Sequence, residues 1–189
     1  MRFVLFFAAL CASAFAYKDA FYIGAYGGVL DGTLEKESRT DLENQSPIRG
    51  FRLGWNNNMR SSFSAKIRWE LFGEQRYFKY DFNGANKEEK SWHAGASVAF
   101  GYNVDWFLTR ELVPYFKIGA GLGGFGEDLG DGSNLHLAAG VVFSLRYFEL
   151  TAEARREFWQ LSGYRIPFQT PFTNDGSIDV LSAGLNFKF

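Results

Sequence analysis

Residues 177–189, SIDVLSAGLNFKF, decide how the rest of the chain is read. Side chains alternate across a β-strand, so Leu181, Ala183, Leu185, Phe187 and Phe189 share one face. Val180, Ser182, Gly184, Asn186 and Lys188 share the other. One face is apolar and aromatic, and its opposite is mostly small or polar. A soluble sandwich strand can alternate in this way too. The aromatic-x-aromatic finish fits better a strand whose apolar face meets lipid and whose polar face lines a closed interior.

Upstream, the same alternation recurs seven more times, predicting strands over 21–29, 48–56, 62–71, 92–102, 115–123, 135–146 and 149–157. The third is the cleanest: Phe63, Ala65, Ile67, Trp69 and Leu71 oppose Ser62, Ser64, Lys66, Arg68 and Glu70. Between strands, long polar segments (31–46, 73–90, 124–133 and 158–176) alternate with short connections, the ends of 73–90 being able to extend the strands that flank it. With eight strands, that order puts every long loop on one side and every short turn on the other. A soluble sandwich has no reason to sort its loops by length. The expected fold is therefore all-β, an eight-stranded antiparallel up-and-down transmembrane β-barrel with four extracellular loops.

The composition agrees. The chain holds 21 Phe, 9 Tyr, 5 Trp and 21 Gly, a mixture suited to short strands, tight turns and aromatic girdles. Trp55, Trp92, Tyr102, Trp106, Tyr147, Phe148, Phe158 and Trp159 lie near strand ends, where interfacial girdles are expected. No later segment approaches the 18 or so consecutive apolar residues of a transmembrane helix. Residues 1–16 read as a secretory signal: Arg2, a short apolar run and an Ala-Phe-Ala finish. Residues 17–189 then form the barrel domain. The single cysteine, Cys11, falls within the signal, so no disulfide framework or thiolate chemistry is expected in the exported chain. The whole sequence carries 20 Lys+Arg against 21 Asp+Glu, and this near-neutral balance points away from nucleic acid.

The segments FYIGAYGG, GFRLGWN, PYFKIGAGLGG, LHLAAGVVFSLRYFELTAEARR and LSAGLNFKF together resemble the OmpA/OmpX-type outer-membrane β-barrel family. The resemblance covers most of residues 20–189, with no peptidoglycan-binding domain after it, and its motifs encode barrel geometry rather than a site. It implies a bacterial outer-membrane location, outer-membrane lipid and lipopolysaccharide as surroundings, and delivery by the barrel assembly machinery. Leu185, Phe187 and Phe189 would be the C-terminal assembly signal.

An eight-stranded barrel is just wide enough for side chains to fill. The alternation puts Arg52, Lys66, Arg68, Glu70, Lys117, Arg146, Glu153, Arg155 and Lys188 inside, with Tyr22, Tyr26 and Tyr115. Buried charges need partners, so a paired polar network is expected, Glu70 and Glu153 meeting neighbouring cations. A plug of this kind suits a structural role, with the loops meeting an extracellular ligand or host surface. The alternative is a narrow porin-like channel gated by the network, favouring anions because cations outnumber carboxylates on this assignment.

Catalytic, cofactor and metal sites are not expected. Residues 119–126, GAGLGGFG, match G-x-G-x-x-G twice, but an acidic segment follows where a phosphate-binding helix would have to begin. That segment lacks the ligand spacing of a dedicated calcium site. A lipid A-modifying enzyme needs a nucleophile beside its base. His93 and Ser97, on one face of one strand, stand about 13 Å apart at about 3.3 Å per residue.

Overall fold

A computed structural model describes residues 20–35, 39–42, 46–58, 65–82, 85–106, 109–125, 130–145, 147–161 and 175–189. The expected leader, Arg146 and the centres of most connections lie outside the described residues. Eight long strands form the wall: β1 (Ala20–Glu35), β3 (Ser46–Asn58), β4 (Ala65–Phe82), β5 (Ala85–Tyr102), β7 (Thr109–Gly124), β8 (Asp131–Ser144), β9 (Phe148–Gln160) and β10 (Gly176–Lys188). Two three-residue strands, β2 (Arg39–Asp41) and β6 (Val104–Trp106), pair with β1 and β7. Each long strand runs antiparallel to the next, and β10 pairs with β1 to close the ring.

Following paired residues around the wall, Phe21 meets Trp55, Trp69, Val98, Ile118, Leu137, Arg156, Asp179 and then β1 again at Asp31, ten residues above the start. A stagger of that size tilts eight strands by about 40°, so this ring climbs about 25 Å along the axis. That matches the height of an outer-membrane apolar band, about 25 Å. The outward residues along it behave accordingly. Phe51, Phe100, Phe116, Leu181 and Phe187 are each more than half exposed, whereas Asn186 and Val180, on the other face of β10, are buried. Glycines on the inner face make space for the filling: a Cβ on Gly140 would lie 2.5 Å from the Tyr115 hydroxyl.

Two expectations change. The segment 73–90 is not a loop. β4 and β5 pair without interruption from Ala65↔Tyr102 to Phe82↔Ala85, a hairpin joined by residues 83–84. Likewise β1 continues to Glu35, and β9 includes Phe158, Trp159 and Gln160. The strands look like loops because their polarity reverses. Below this level the even-numbered β4 positions Lys66, Arg68 and Glu70 are charged, Phe72 being the apolar exception, and the odd ones are apolar. Above it, inward Phe78 and Tyr80 are buried and apolar, while outward Lys79 is exposed. The second change concerns Trp159, which is fully buried and points inward rather than joining a girdle.

Candidate interior network and outer rim

The lumen is filled in tiers. Nearest the end carrying Ala20 and Phe189, Arg68 Nε donates to the Tyr22 hydroxyl at 2.7 Å and Nη1 to Glu149 at 2.9 Å. Lys66 pairs with Glu111, and Lys188 Nζ donates to Ser144 Oγ at 2.5 Å. A cavity of about 20 Å³ remains here, room for about one water.

The middle tier centres on Glu70 and Glu153. Glu70 accepts from Tyr22 Oη and Lys117 Nζ, both at 3.0 Å, and faces Arg52 Nη1 at 3.8 Å. Lys117 bridges to Glu153, which also accepts from Tyr115 Oη at 2.7 Å. Arg52 donates from Nε to Asn186 Oδ1 at 2.9 Å and from Nη2 to Thr151 at 2.5 Å.

In the upper tier, Arg76 Nη1 donates to Glu157 at 2.8 Å, and Arg155 Nη2 reaches both Glu74 oxygens at 2.8 and 2.9 Å. Tyr26 Oη donates to Glu74 at 2.6 Å. His93 Nδ1 donates to Glu74 Oε1 at 2.9 Å, and Asn134 Nδ2 donates to His93 Nε2 at 2.7 Å. Ligand-type atoms of Glu74, His93 and Glu157 lie within 4.8 Å of one another, as a metal site would require. Arg76 Nη2 already contacts all three residues, however, so a guanidinium holds the position a cation would take.

Above the ions the filling becomes apolar. Leu30, Leu34, Ile48, Phe78, Tyr80, Ile178, Val180 and Trp159 converge from five strands, with Leu42 and Phe125, into one buried cluster. Phe125 stands edge-on to Trp159 at 4.5 Å, and Trp159 Nε1 donates to Glu157 at 2.8 Å, joining this layer to the ions beneath.

Of the residues expected in the interior, Arg52, Arg68, Glu70, Lys117, Glu153 and Arg155 are buried, and Lys66 and Lys188 are partly so. Sequence reasoning missed Glu74 and Arg76, assigned to a loop. It also left Glu111, Glu149 and Glu157 out of the network, although Glu149 and Glu157 stand on the same face of β9 as Glu153. Their presence changes the charge: seven described cations (Arg52, Lys66, Arg68, Arg76, Lys117, Arg155, Lys188) meet six carboxylates (Glu70, Glu74, Glu111, Glu149, Glu153, Glu157). The excess of cations read from sequence shrinks to one.

His93, His136 and Ser97 are all buried. Ser97 and His136 stand opposite Gly119 from either side, neither Ser97 Oγ nor His136 Nε2 having a hydrogen-bond partner among the described residues. Both side chains face the packed interior rather than lipid.

No protein-family model matches the sequence, and no curated protein does. Among solved structures, Neisserial surface protein A (NspA) matches with a TM-score of 0.55 and 15% identity, over 90% of this chain and 99% of that one. The chain has the fold of the small eight-stranded outer-membrane barrels. Two further outer-membrane structures align less closely. Ail, the attachment invasion locus protein of Yersinia pestis, gives a TM-score of 0.45 at 12% identity, over 90% of this chain and 98% of Ail. The outer membrane enzyme PagL gives 0.45 at 14% identity, over 87% of this chain and 97% of PagL.

In an outer-membrane barrel the exposed girdle meets lipid, the end with the short turns is periplasmic, and the strand extensions are extracellular. The upper rim of the girdle carries charge. Outward Arg156 donates to both Asp179 oxygens, at 2.7 and 2.6 Å, an exposed pairing. A third of the way round, Arg49 and Lys90 flank the Tyr77 ring, their charges 5.0 and 5.7 Å from its centre.

Proposed function

We propose that this protein is a plugged outer-membrane barrel that acts structurally and through its extracellular segments, meeting an extracellular ligand or host surface there, and that it is not an enzyme. The observation that carries this reading is the apolar layer across the extracellular end of the lumen. An ion crossing it would have to pass between Leu30, Leu34, Phe78, Ile178 and Trp159, giving up most of its hydration for apolar contact at a cost well above thermal energy. The ion pairs beneath are matched almost one to one, so they hold the wall rigid rather than offering sites for mobile ions. The channel reading draws no support from this arrangement.

The reading extends to assembly. Leu185, Phe187 and Phe189 lie on the exposed face of the closing strand, accessible to the barrel assembly machinery as a C-terminal signal. Lipid and lipopolysaccharide surround the girdle.

Planar-bilayer recording of the refolded chain tests the plug: no steady conductance is expected, and a sustained open level would overturn it. The surface role is tested on cells displaying the chain. Adhesion to cultured epithelial monolayers should exceed that of cells without it and fall when residues 162–174 are replaced by a short linker. Equal adhesion with and without the chain would remove the host-surface reading.

A further inference from the structure

We propose that Arg49, Tyr77 and Lys90 form a docking site on the outer wall for the phosphorylated sugar headgroup of lipopolysaccharide. This inference rests on the membrane placement proposed above and names a specific lipid contact within it.

The site sits where three strands leave the apolar band. On β3 the outward series runs Leu53, Phe51, Arg49, with Phe51 two-thirds exposed and Arg49 exposed just above it. On β5 it runs Val98, Ala96, Ala94, Trp92, Lys90. Trp92 pairs with Gln75, and two residues further out Lys90 pairs with Tyr77. A tryptophan at this level marks the boundary between hydrocarbon and headgroups. The two cations and the tyrosine therefore stand at headgroup height.

Their orientation is fixed. Arg49 donates to the Tyr77 hydroxyl, which in turn donates to Gln75 Oε1 at 2.9 Å. Both cations lie against the Tyr77 ring, within the distance at which a ring face attracts positive charge. Two like charges are thus gathered around one ring, and neither has a carboxylate partner among the described residues. Neighbouring outward cations differ. Lys79 is 2.9 Å from Glu88, and Arg156 is held by Asp179. Within one belt, then, some cations are neutralised by the chain and this pair is left for something else.

The missing anion must reach a lipid-facing wall at the membrane surface. A guanidinium suits a phosphate through paired N–H donors, an ammonium adds a point charge, and an aromatic face suits the C–H side of a sugar ring. A phosphorylated glycolipid presents all of these groups at the right depth, with its acyl chains lying along the girdle below.

The test uses the full chain refolded in phosphatidylcholine vesicles, with insertion checked by heat-modifiable gel mobility. Binding of purified lipopolysaccharide is compared with the same material after enzymatic removal of its phosphates, and with inorganic phosphate as competitor. The Arg49→Gln/Lys90→Gln variant should bind lipopolysaccharide about thirtyfold more weakly, at about fivefold per membrane-proximal cation. The Arg49→Lys/Lys90→Arg variant should recover most of the affinity. Arg156→Gln/Asp179→Asn should leave binding unchanged, phosphate removal should mimic the loss, and millimolar inorganic phosphate should not compete. Equal binding by wild type and the double glutamine variant, indifference to phosphate removal, or full displacement by inorganic phosphate would each overturn the proposal. A chain that fails to insert would instead overturn the membrane placement, and this proposal with it.

Discussion

Strand β4 passes through two solvents. From Ile67 to Gln75 its outward side chains face lipid, and inward Arg68, Glu70 and Glu74 make hydrogen bonds across the lumen. From Tyr77 to Tyr80 the arrangement turns over: Phe78 and Tyr80 are packed inside, and Lys79 points into water beside Glu88. The lower half of the barrel is built inside out, and the upper half is built like a soluble protein. Both halves use one continuous hydrogen-bonded ribbon, because closure satisfies backbone groups equally well in either solvent. What differs is the side of the wall on which apolar surface is cheapest to place. Polarity is set by what lies outside the wall, not by the strand itself.

The largest effect is expected inside the upper ion tier. Glu74→Ala leaves Arg76 and Arg155 with Glu157 as their remaining carboxylate, and should destabilise the barrel by about 3–5 kcal/mol, read by reversible urea unfolding in vesicles. Just above, Phe78→Ala should cost about 3–4 kcal/mol through its cavity, as in the core of a soluble domain. If Phe78→Ala proved neutral, the upper half would not be packed.

Outward substitutions sharpen the contrast by depth. Ile118→Arg lies half-way around the climbing ring of partners, near mid-membrane, and should cost about 2–4 kcal/mol. Ile67→Arg, two residues below Trp69 and close to the periplasmic rim, should cost at most about 1 kcal/mol. Smallest of all, Lys79→Ala on the water-facing hairpin should change stability by no more than about 0.5 kcal/mol. Equal penalties for the two arginine variants would mean that the apolar band has been placed at the wrong height.

The lower half was legible because one period-2 pattern holds throughout it, with large apolar groups out and small or polar groups in. Leu181, Leu185 and Phe187 are exposed in the structure as that pattern requires, and Asn186 is buried. The upper half was not legible by the same rule. In 73–90 the alternation continues with its phase reversed, so charges at Lys79, Glu88 and Lys90 read as loop composition when they mark the wet face of a ribbon. The signal that could have found it was the inward run Phe72, Glu74, Arg76, Phe78, Tyr80, which keeps strict period 2 through the switch. The network suffered from the same misreading. Glu74 and Arg76 fell in the supposed loop, and so the ion count inside was too positive. Trp159 shows the limit of composition most clearly: an aromatic at a strand end suits a girdle or a plug equally, and only its inward parity on β9 separates the two.

Site-directed spin labels placed singly at each position from Ile67 to Tyr80, in vesicle-reconstituted protein, test the change of solvent along β4 most directly. Odd positions below Gln75 should collide with dissolved oxygen, a lipid-soluble probe. Odd positions above Tyr77 should collide with a water-soluble nickel chelate, and even positions should be shielded from both throughout. Nickel access on both faces between residues 73 and 80, with fast label motion, would show a solvated loop and contradict the account.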